Sequence, residues 1–173
     1  MDLYLKRIPS PIGEIRIYAD ERAVVGLFTG KSIRKGLHRE HHLARKMENA
    51  VIEQAEAELK DYFAGKQRVF TVPLAFSGTD FQMAVWSCLR DIGYGELRTY
   101  GDVAREIARP KAVRAVGGAI GSNPISIIIP CHRVIGSDDS LTGFGGGLPV
   151  KERLLEIEGH TIRHLKIEKH PTA

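Results

Sequence analysis

The chain has 173 residues, 43% of them hydrophobic and 27% charged, which is typical of one globular domain or two small lobes. No segment approaches the ~18–20 uninterrupted apolar residues of a membrane span, and residues 1–7 lack the pattern of a secretory signal. Two cysteines, Cys88 and Cys131, argue against a disulfide scaffold and predict a reducing compartment: the cytoplasm, or the nucleus in a eukaryote. The net charge of +4 permits a polyanionic partner without requiring one.

The first part of the chain predicts a small sheet with one helix. Segments rich in Ile, Val, Leu and Tyr predict strands at 3–8, 14–19 and 23–28, and an apolar face predicts a helix at 49–63. A further extended segment is expected at 69–76. The polar residues 31–46 predict a solvated loop, although the spacing of His38, His41 and His42 could hold a metal ion. We expect an N-terminal lobe over residues 1–76 that has no reactive cluster.

The composition changes near Ser77, and residues 77–173 predict a mainly helical second lobe, so the fold class is α+β. Thr79 and Gln82 match a capping box, and they open a helix that ends at Gly93. The inward face of that helix is predicted to carry Phe81, Val85, Cys88, Leu89 and Ile92. A buried apolar strand is expected at 125–129, a last helix at 149–159, and a frayed polar tail from Thr161.

Two short helices, starting at Thr99 and spanning 111–120, predict a helix-turn-helix, because Pro110 cannot continue the first helix. Any helical hairpin would give the same spacing. The second helix presents only small residues beside Arg114, and these cannot hydrogen-bond base edges: Ala112, Ala115, Gly117, Gly118 and Ala119. Such a face favours close approach to DNA and reading of its shape. Arg114 could fill the gap that a flipped base leaves, or could simply contact a phosphate.

A candidate nucleophile follows the apolar run, in the segment Pro130-Cys131-His132-Arg133-Val134. A thiol attacks as its thiolate, and an imidazole is its usual activator. Glu158 on the last helix could orient that imidazole, and the turn at Asn123-Pro124 could fold back under the cysteine. Neighbours on a plain strand point to opposite faces, so a turn or a bridging water is needed. A buried, inert cysteine is the alternative interpretation.

Residues 79–160 resemble the O6-alkylguanine-DNA alkyltransferases. The similarity rests on segments that occur in the family's order: Phe81-Gln82-Met83-Ala84-Val85-Trp86, Thr99 to Ala104, Arg114 to Ala119, Asn123-Pro124, Ile129 to Val134, Gly143 to Leu148 and Lys151 to Gly159. Residues 1–76 resemble the family's N-terminal lobe in pattern only. The resemblance implies a single-turnover repair protein that flips O6-alkylguanine out of duplex DNA and moves the alkyl group irreversibly onto Cys131.

The resemblance also implies roles for individual residues. Cys131 is the acceptor, His132 the base that reaches it through a water, Glu158 the carboxylate that orients His132, and Asn123 a brace for the turn. Tyr100 contacts the target's phosphate and helps to protonate the leaving guanine, and Lys151 lies near that tyrosine. The implied DNA-binding residues are Arg114, Tyr100, Ala115, Gly117, Gly118 and Ala119. The implied pocket residues are Ser137, Phe144, Gly145, Gly146, Val134 and Met83.

The chain departs from parts of the family at three places. Phe144 stands where some relatives have tyrosine, which removes one hydroxyl contact to the base, and Ser126 stands where some have proline, which puts bulky free-base inhibitors in doubt. Some relatives bind zinc through N-terminal cysteines, and none precedes Cys88 here, so we expect neither metal nor cofactor. The expected partner is double-stranded DNA that carries O6-alkylguanine, with O4-alkylthymine as a second lesion. We expect a monomer with room for cooperative binding on DNA.

Three rival functions share parts of this pattern. A sequence-specific helix-turn-helix regulator would need polar readers on its second helix and no reactive thiol. A cysteine hydrolase would need an oxyanion hole and would turn over. An inactive lesion-binding relative would lack Cys131.

Overall fold

The computed structural model describes residues 2–30 and 49–169, and the contacts divide the chain into two compact units. The first unit comprises Met1–Ser77 and Pro124–Ile128, and the second comprises Gly78–Asn123 and Ile129–Ala173. The α+β class is confirmed. The predicted division at residue 76 had put 124–128 in the second lobe, whereas its contacts group it with the first. The histidine cluster at 38–42 lies outside the described residues.

The first unit contains the predicted sheet and helix. Strands β1 (Tyr4–Ile8), β2 (Ile15–Ala19) and β3 (Val24–Thr29) form an antiparallel sheet in that order, against which helix α1 (Ala50–Phe63) packs. Asn49 caps α1, because its side-chain oxygen accepts from the Ile52 amide at 2.8 Å. The three strands and the helix were therefore predicted to within a residue or two at each end.

Residues 69–76 form no regular strand, although an extended segment was expected there. The segment is held by buried Glu58, whose carboxylate accepts from the amides of Thr71 at 2.9 Å and Val72 at 3.2 Å. Burial opposes this charge, but hydrogen bonds from Thr71 and Gln54 hold the pKa of Glu58 below its usual value. The segment also pairs with β3 at one point, because the Val24 amide donates to the Pro73 carbonyl at 2.8 Å and the Val24 carbonyl accepts from the Ala75 amide at 2.9 Å.

The strand expected at 125–129 is wrong. Ile127 has φ 72°, a left-handed conformation that a β-branched residue rarely adopts, and this interrupts the extended backbone. The segment is instead held to β3 by two hydrogen bonds, from the Leu27 amide to the Pro124 carbonyl and from the Ser126 amide to the Leu27 carbonyl, each 3.0 Å long. The chain therefore turns before it reaches Cys131.

The second unit contains four helices among the described residues: α2 (Asp80–Arg90), α3 (Tyr100–Glu106), α4 (Val113–Gly121) and α5 (Leu148–Ile157). A short parallel pair joins β4 (Arg98–Thr99) to β5 (Val134–Ile135), and a hairpin joins β6 (Ile162–Arg163) to β7 (Lys166–Ile167). The predicted capping box at Thr79 is confirmed, and Thr99 forms a second one with Asp102. The tail expected to fray from Thr161 is instead paired up to Ile167.

The inward face of α2 differs from the prediction in one important residue. Val85, Trp86 and Leu89 are buried, and the Trp86 indole donates to the Ala119 carbonyl at 2.8 Å. Cys88 is only partly buried, and its thiol donates to Glu106 at 3.2 Å. Trp86 rather than Cys88 therefore fills the space between α2 and α4. No helix in the described part of the chain is both long and apolar enough to cross a membrane.

Candidate active site

The turn between α3 and α4 is built from a left-handed residue as well as a proline. Ala108 has φ 58°, and the Arg109 amide donates back to the Ala104 carbonyl at 2.8 Å, which is a usual way to end a helix. The two helices then pack against each other. The helix-turn-helix geometry that the sequence predicted is thus present within the second unit.

The exposed side of α4 is smooth apart from one long side chain. Arg114, Ala115 and Gly118 are exposed, whereas Ala119 is 96% buried against α2. Ala119 lies three residues after buried Val116, so helical periodicity turns it inward, and its predicted place on a DNA-binding surface is wrong. At Gly117 a Cβ would lie 3.9 Å from the Tyr100 ring, which brings the start of α3 next to this surface.

Cys131 lies at the start of a 3₁₀ turn, Cys131–Arg133, and is 5% exposed. The turn removes the strand geometry that would separate the cysteine from its neighbouring histidine. Asn123 donates to the Ile129 carbonyl at 2.8 Å and hydrogen-bonds the Cys131 side chain. Burial raises the pKa of the Cys131 thiol, while Asn123 and the Lys151 ammonium partly oppose that rise.

His132 and Glu158 form a fully buried pair, with His132 Nε2 2.8 Å from Glu158 Oε1. Burial lowers the pKa of His132, so its imidazole is neutral near pH 7. Because Nε2 faces the carboxylate, Nε2 carries the proton and Nδ1 keeps the lone pair. That Nδ1 is itself buried and has no hydrogen-bond partner among the described residues.

Arg133 completes this pair and was not singled out from the sequence. Its Nε and Nη2 donate to the two oxygens of Glu158 at 2.9 Å, and Nη1 donates to the Ile92 carbonyl. Burial alone would raise the pKa of Glu158, but the hydrogen bonds from His132 and Arg133 hold it well below its usual range. Its partner Glu158 lies 25 residues away, so no local pattern in the sequence could have indicated this contact.

Tyr100 and Lys151 converge on one carbonyl oxygen. The Tyr100 hydroxyl donates to the Thr142 carbonyl at 2.9 Å, and Lys151 Nζ donates to the same oxygen at 3.0 Å and to the Val134 carbonyl at 2.6 Å. Burial lowers the pKa of Lys151 to about 8 and raises the pKa of Tyr100. Near neutral pH both groups are therefore protonated. Lys151 releases its proton more readily than an exposed lysine would, because its pKa is lower.

The predicted pocket residues are distributed over three elements. Ser137 lies exposed in the turn between Gly136 and Ser140, and Phe144, Gly145 and Gly146 lie in the glycine-rich loop that precedes α5. Met83 is partly buried on α2. The Val134 side chain is fully buried, so this residue offers its backbone rather than its side chain. Among the described residues no group of three metal-ligating side chains occurs.

The fold and the site define a class: a two-unit α+β protein that couples a smooth helix-turn-helix to a buried cysteine beside a histidine–carboxylate pair. The comparisons with known proteins then give the family. Residues 3–76 match the ribonuclease-like domain of 6-O-methylguanine DNA methyltransferase, and residues 80–160 match its DNA binding domain. The chain belongs to this family.

Similar proteins cover nearly the whole chain. It is 46% identical over 157 residues to the methylated-DNA–protein-cysteine methyltransferase of Haemophilus influenzae, covering 90% of this chain and 86% of that one. It is 46% identical to the protein of that name from Methanosarcina barkeri, covering 93% and 100%. The structure of a Mycobacterium tuberculosis O6-methylguanine methyltransferase matches with a TM-score of 0.80 at 42% identity, covering 90% and 92%. A structure of the M. tuberculosis OGT in complex with DNA matches with a TM-score of 0.80 at 41% identity, covering the same shares.

Proposed function

We propose that this protein repairs O6-alkylguanine in DNA by moving the alkyl group irreversibly onto Cys131. The observation that carries the assignment is that Asn123 hydrogen-bonds the buried Cys131 side chain and the Lys151 ammonium lowers its pKa, while the next residue, His132, is neutral. The family supplies the reaction class, since its relatives are methylated-DNA–protein-cysteine methyltransferases. The partner is accordingly DNA, and each molecule acts once.

The thiol must lose its proton before it attacks, because burial raises its pKa and keeps it protonated near pH 7. His132 Nδ1 accepts that proton through a bridging water. Its lone pair is available because Glu158 holds the other ring proton on Nε2. Glu158 stabilises the imidazolium that forms, and Arg133 keeps the carboxylate ionised and in place. The sulfur then bonds the alkyl carbon as the bond between that carbon and O6 breaks.

The leaving guanine departs as an anion unless it receives a proton. Tyr100 and Lys151 supply it, since both are protonated near neutral pH and the pKa of the lysine, about 8, suits proton transfer there. The guanine then returns to its ordinary form, and the protein keeps a thioether. The chain uses no cofactor or metal in this scheme.

The smooth face of α4 is the proposed DNA contact, with Arg114 as the side chain that replaces the flipped nucleotide. Ala115, Gly117 and Gly118 let the helix approach the DNA backbone closely, and Tyr100 lies beside them. The glycine-rich loop and Met83 form the wall around the base. We further propose that the protein acts as a monomer on DNA, in the compartment that holds the DNA, and that O4-alkylthymine is a second substrate.

The direct test is mass spectrometry after incubation with a duplex that carries O6-methylguanine. We expect one gain of 14 Da, the mass of an added CH2, on the peptide that contains Cys131. An unmethylated duplex is the control. Modification of Cys88 instead, or many repaired lesions per protein molecule, would contradict the proposal.

A second measurement separates repair from sequence-specific regulation. Because α4 lacks polar readers, undamaged duplexes of different sequence should bind weakly and with similar affinities that fall steeply as salt rises. A preference of ~10³-fold or more for one undamaged sequence is the behaviour of an operator-binding protein. Such a preference would favour the regulator.

A further inference from the structure

The C-terminal hairpin is the part of the second unit whose order the sequence did not predict. Its turn, His164-Leu165, has φ 50° and 58°, the two left-handed residues of a type I′ hairpin turn. Asn-Gly is the sequence usually found there, and His-Leu is less favourable, so the turn does not form on intrinsic preference alone. Contacts outside the hairpin must contribute to its order.

Those contacts are made with the loop that follows β5. The Leu141 amide donates to the Leu165 carbonyl at 2.7 Å, and the Ile167 amide donates to the Asp139 carbonyl at 2.9 Å. Ser140 and Lys166 form an antiparallel bridge between these two bonds. The loop therefore pairs with the hairpin as an additional short strand.

The loop is also tight at its own base. The Gly136 amide donates to the Ser140 carbonyl at 2.8 Å, and a Cβ on Gly136 would lie 2.7 Å from the Ser140 hydroxyl. Asp138 and Asp139 pair with Lys166 and Lys169 at 3.5 Å and 2.9 Å, although such exposed ion pairs contribute little to stability. The two backbone hydrogen bonds and buried Leu141 are thus the firm attachment.

The attachment point of the hairpin, Leu141, is adjacent in sequence to Thr142, whose carbonyl lies in the proposed active site. Leu141 bonds the hairpin, and the next carbonyl, that of Thr142, accepts from both Tyr100 and Lys151. A shift of the loop at residues 139–141 therefore moves the oxygen on which both proton donors converge. It also moves the start of the glycine-rich loop, since Thr142 immediately precedes Gly143.

We propose that the hairpin formed by residues 161–168 is a positioning element for alkyl transfer, because it holds the Thr142 carbonyl in the place where Tyr100 and Lys151 meet. This inference rests on the proposed function, in which those two residues protonate the leaving guanine. The hydrogen bonds, bridge and ion pairs that attach the hairpin are made with residues 138–141 and not with Cys131 or α4. Its loss should slow the transfer step and leave the thiol's own reactivity and DNA binding intact.

The test compares Ile167→Pro with Ile167→Ala. Proline removes the amide that donates to Asp139, while alanine shortens the side chain and keeps that amide, so the pair isolates the backbone bond. Single-turnover rates are measured with O6-methylguanine duplex over a range of DNA concentrations. Alkylation of Cys131 by iodoacetamide, followed on its own peptide, reports the thiol without any guanine.

We expect Ile167→Pro to lower the maximal transfer rate about tenfold, within the ~10²-fold that a misplacement of about 1 Å costs. The half-saturating DNA concentration and the iodoacetamide rate should stay at wild-type values, and Ile167→Ala should transfer normally. Equal rates in Ile167→Pro and wild type would overturn the proposal. So would equal slowing in both variants, which indicates side-chain packing, or a joint loss of transfer, DNA binding and thiol reactivity, which indicates a general role in folding. Absence of transfer by the wild-type protein itself would instead overturn the proposed function, and this inference with it.

Discussion

Cys88 and Cys131 lie in the same unit, and the pKa of both thiols is raised, yet their surroundings have opposite chemical character. Cys88 is partly exposed on α2 and its thiol donates to the Glu106 carboxylate, and partial burial, together with that carboxylate, raises the pKa of Cys88 to about 12. Cys131 is buried, but the Asn123 amide hydrogen-bonds its side chain, the Lys151 ammonium lowers its pKa, and the residue that follows it in the chain, His132, has a neutral imidazole. The difference teaches that accessibility does not make a thiol a nucleophile. A thiol becomes a nucleophile when its neighbours can accept its proton and stabilise the negative charge of the thiolate.

The largest effect that separates the two cysteines is expected from their replacement by serine. Cys131→Ser should lose all detectable alkyl transfer, because a hydroxyl has no accessible anion at neutral pH. Cys88→Ser is the matched control and should repair O6-methylguanine duplex at the wild-type rate. Residual labelling of the protein in Cys131→Ser would show that a second acceptor exists and would break the comparison.

The second-largest loss of transfer rate is expected from removal of the proposed base, His132. His132→Gln keeps a polar side chain but cannot accept the thiol proton, and loss of such a group costs roughly 10²–10⁴-fold in rate. We expect transfer to slow in that range while iodoacetamide still modifies Cys88 as in wild type. A change of less than about threefold in the transfer rate would mean that the imidazole is structural.

Arg114 tests whether repair in duplex DNA needs more than the thiol site. Arg114→Ala should slow duplex repair by about tenfold or more, because base extrusion costs a few kcal/mol and each 1.36 kcal/mol is about tenfold in rate. Reaction with free O6-methylguanine should be unaffected, since a free base needs no flipping. Arg114→Lys should recover only part of the rate, because it restores the charge without the planar guanidinium. Full activity of the lysine variant would indicate that Arg114 only contacts a phosphate and does not replace the flipped base.

The free energy of unfolding at acid pH should depend on the buried pair of His132 and Glu158. The pKa of Glu158 is lowered in the folded state, so its contribution is present above the unfolded value near 4.5 and is lost as pH falls through the folded value. The lowered pKa of His132 acts in the same direction below its ordinary value of 6.5, because the unfolded chain takes up that proton first. Glu158→Gln should flatten the acid limb of urea unfolding by about 2 kcal/mol. An unchanged slope below pH 4.5 would show that the carboxylate is not ionised in the folded protein.

The smallest effect concerns Cys88. Glu106→Gln removes the carboxylate that opposes thiolate formation, so the pKa of Cys88 should fall. Each unit of that fall raises the thiolate fraction tenfold but lowers its nucleophilicity, which leaves a gain of about threefold in the iodoacetamide rate. Cys131 should react as before, and a decrease at Cys88 would show that Glu106 activates that thiol rather than suppressing it.

Much of the second unit could be predicted because its signals are local. Capping boxes, helical periodicity and Pro110 are short-range features, and they located α2, α3 and α4 to within a few residues. Cys131, His132, Glu158, Tyr100 and Lys151 were chosen through a resemblance rather than through spacing. Their roles remain predictions, although the structure pairs His132 with Glu158, brings Tyr100 and Lys151 to the Thr142 carbonyl, and bonds Cys131 to Asn123.

The errors occurred where a distant partner decides the conformation. The run 125–129 has strand composition, but its pairing with β3 leaves Ile127 left-handed, and Ala119 has the size of a DNA-facing residue but accepts from Trp86. Arg133 was overlooked because its partner, Glu158, lies 25 residues away. No periodicity records a contact of this kind.

By itself the sequence determined the α+β class and the helix-turn-helix, because these depend on residue types over a few turns of chain, whereas Cys131 was assigned as the nucleophile through the family resemblance and stays a prediction. Tertiary structure alone decided which neighbours raise or lower the pKa of each thiol. It also decided that Arg133 hydrogen-bonds Glu158 and that residues 161–167 form a hairpin. These outcomes depend on burial and on hydrogen bonds between residues far apart in the chain. The polar tail illustrates the reason, since its order comes from the loop at 139–141 and not from its own His-Leu turn.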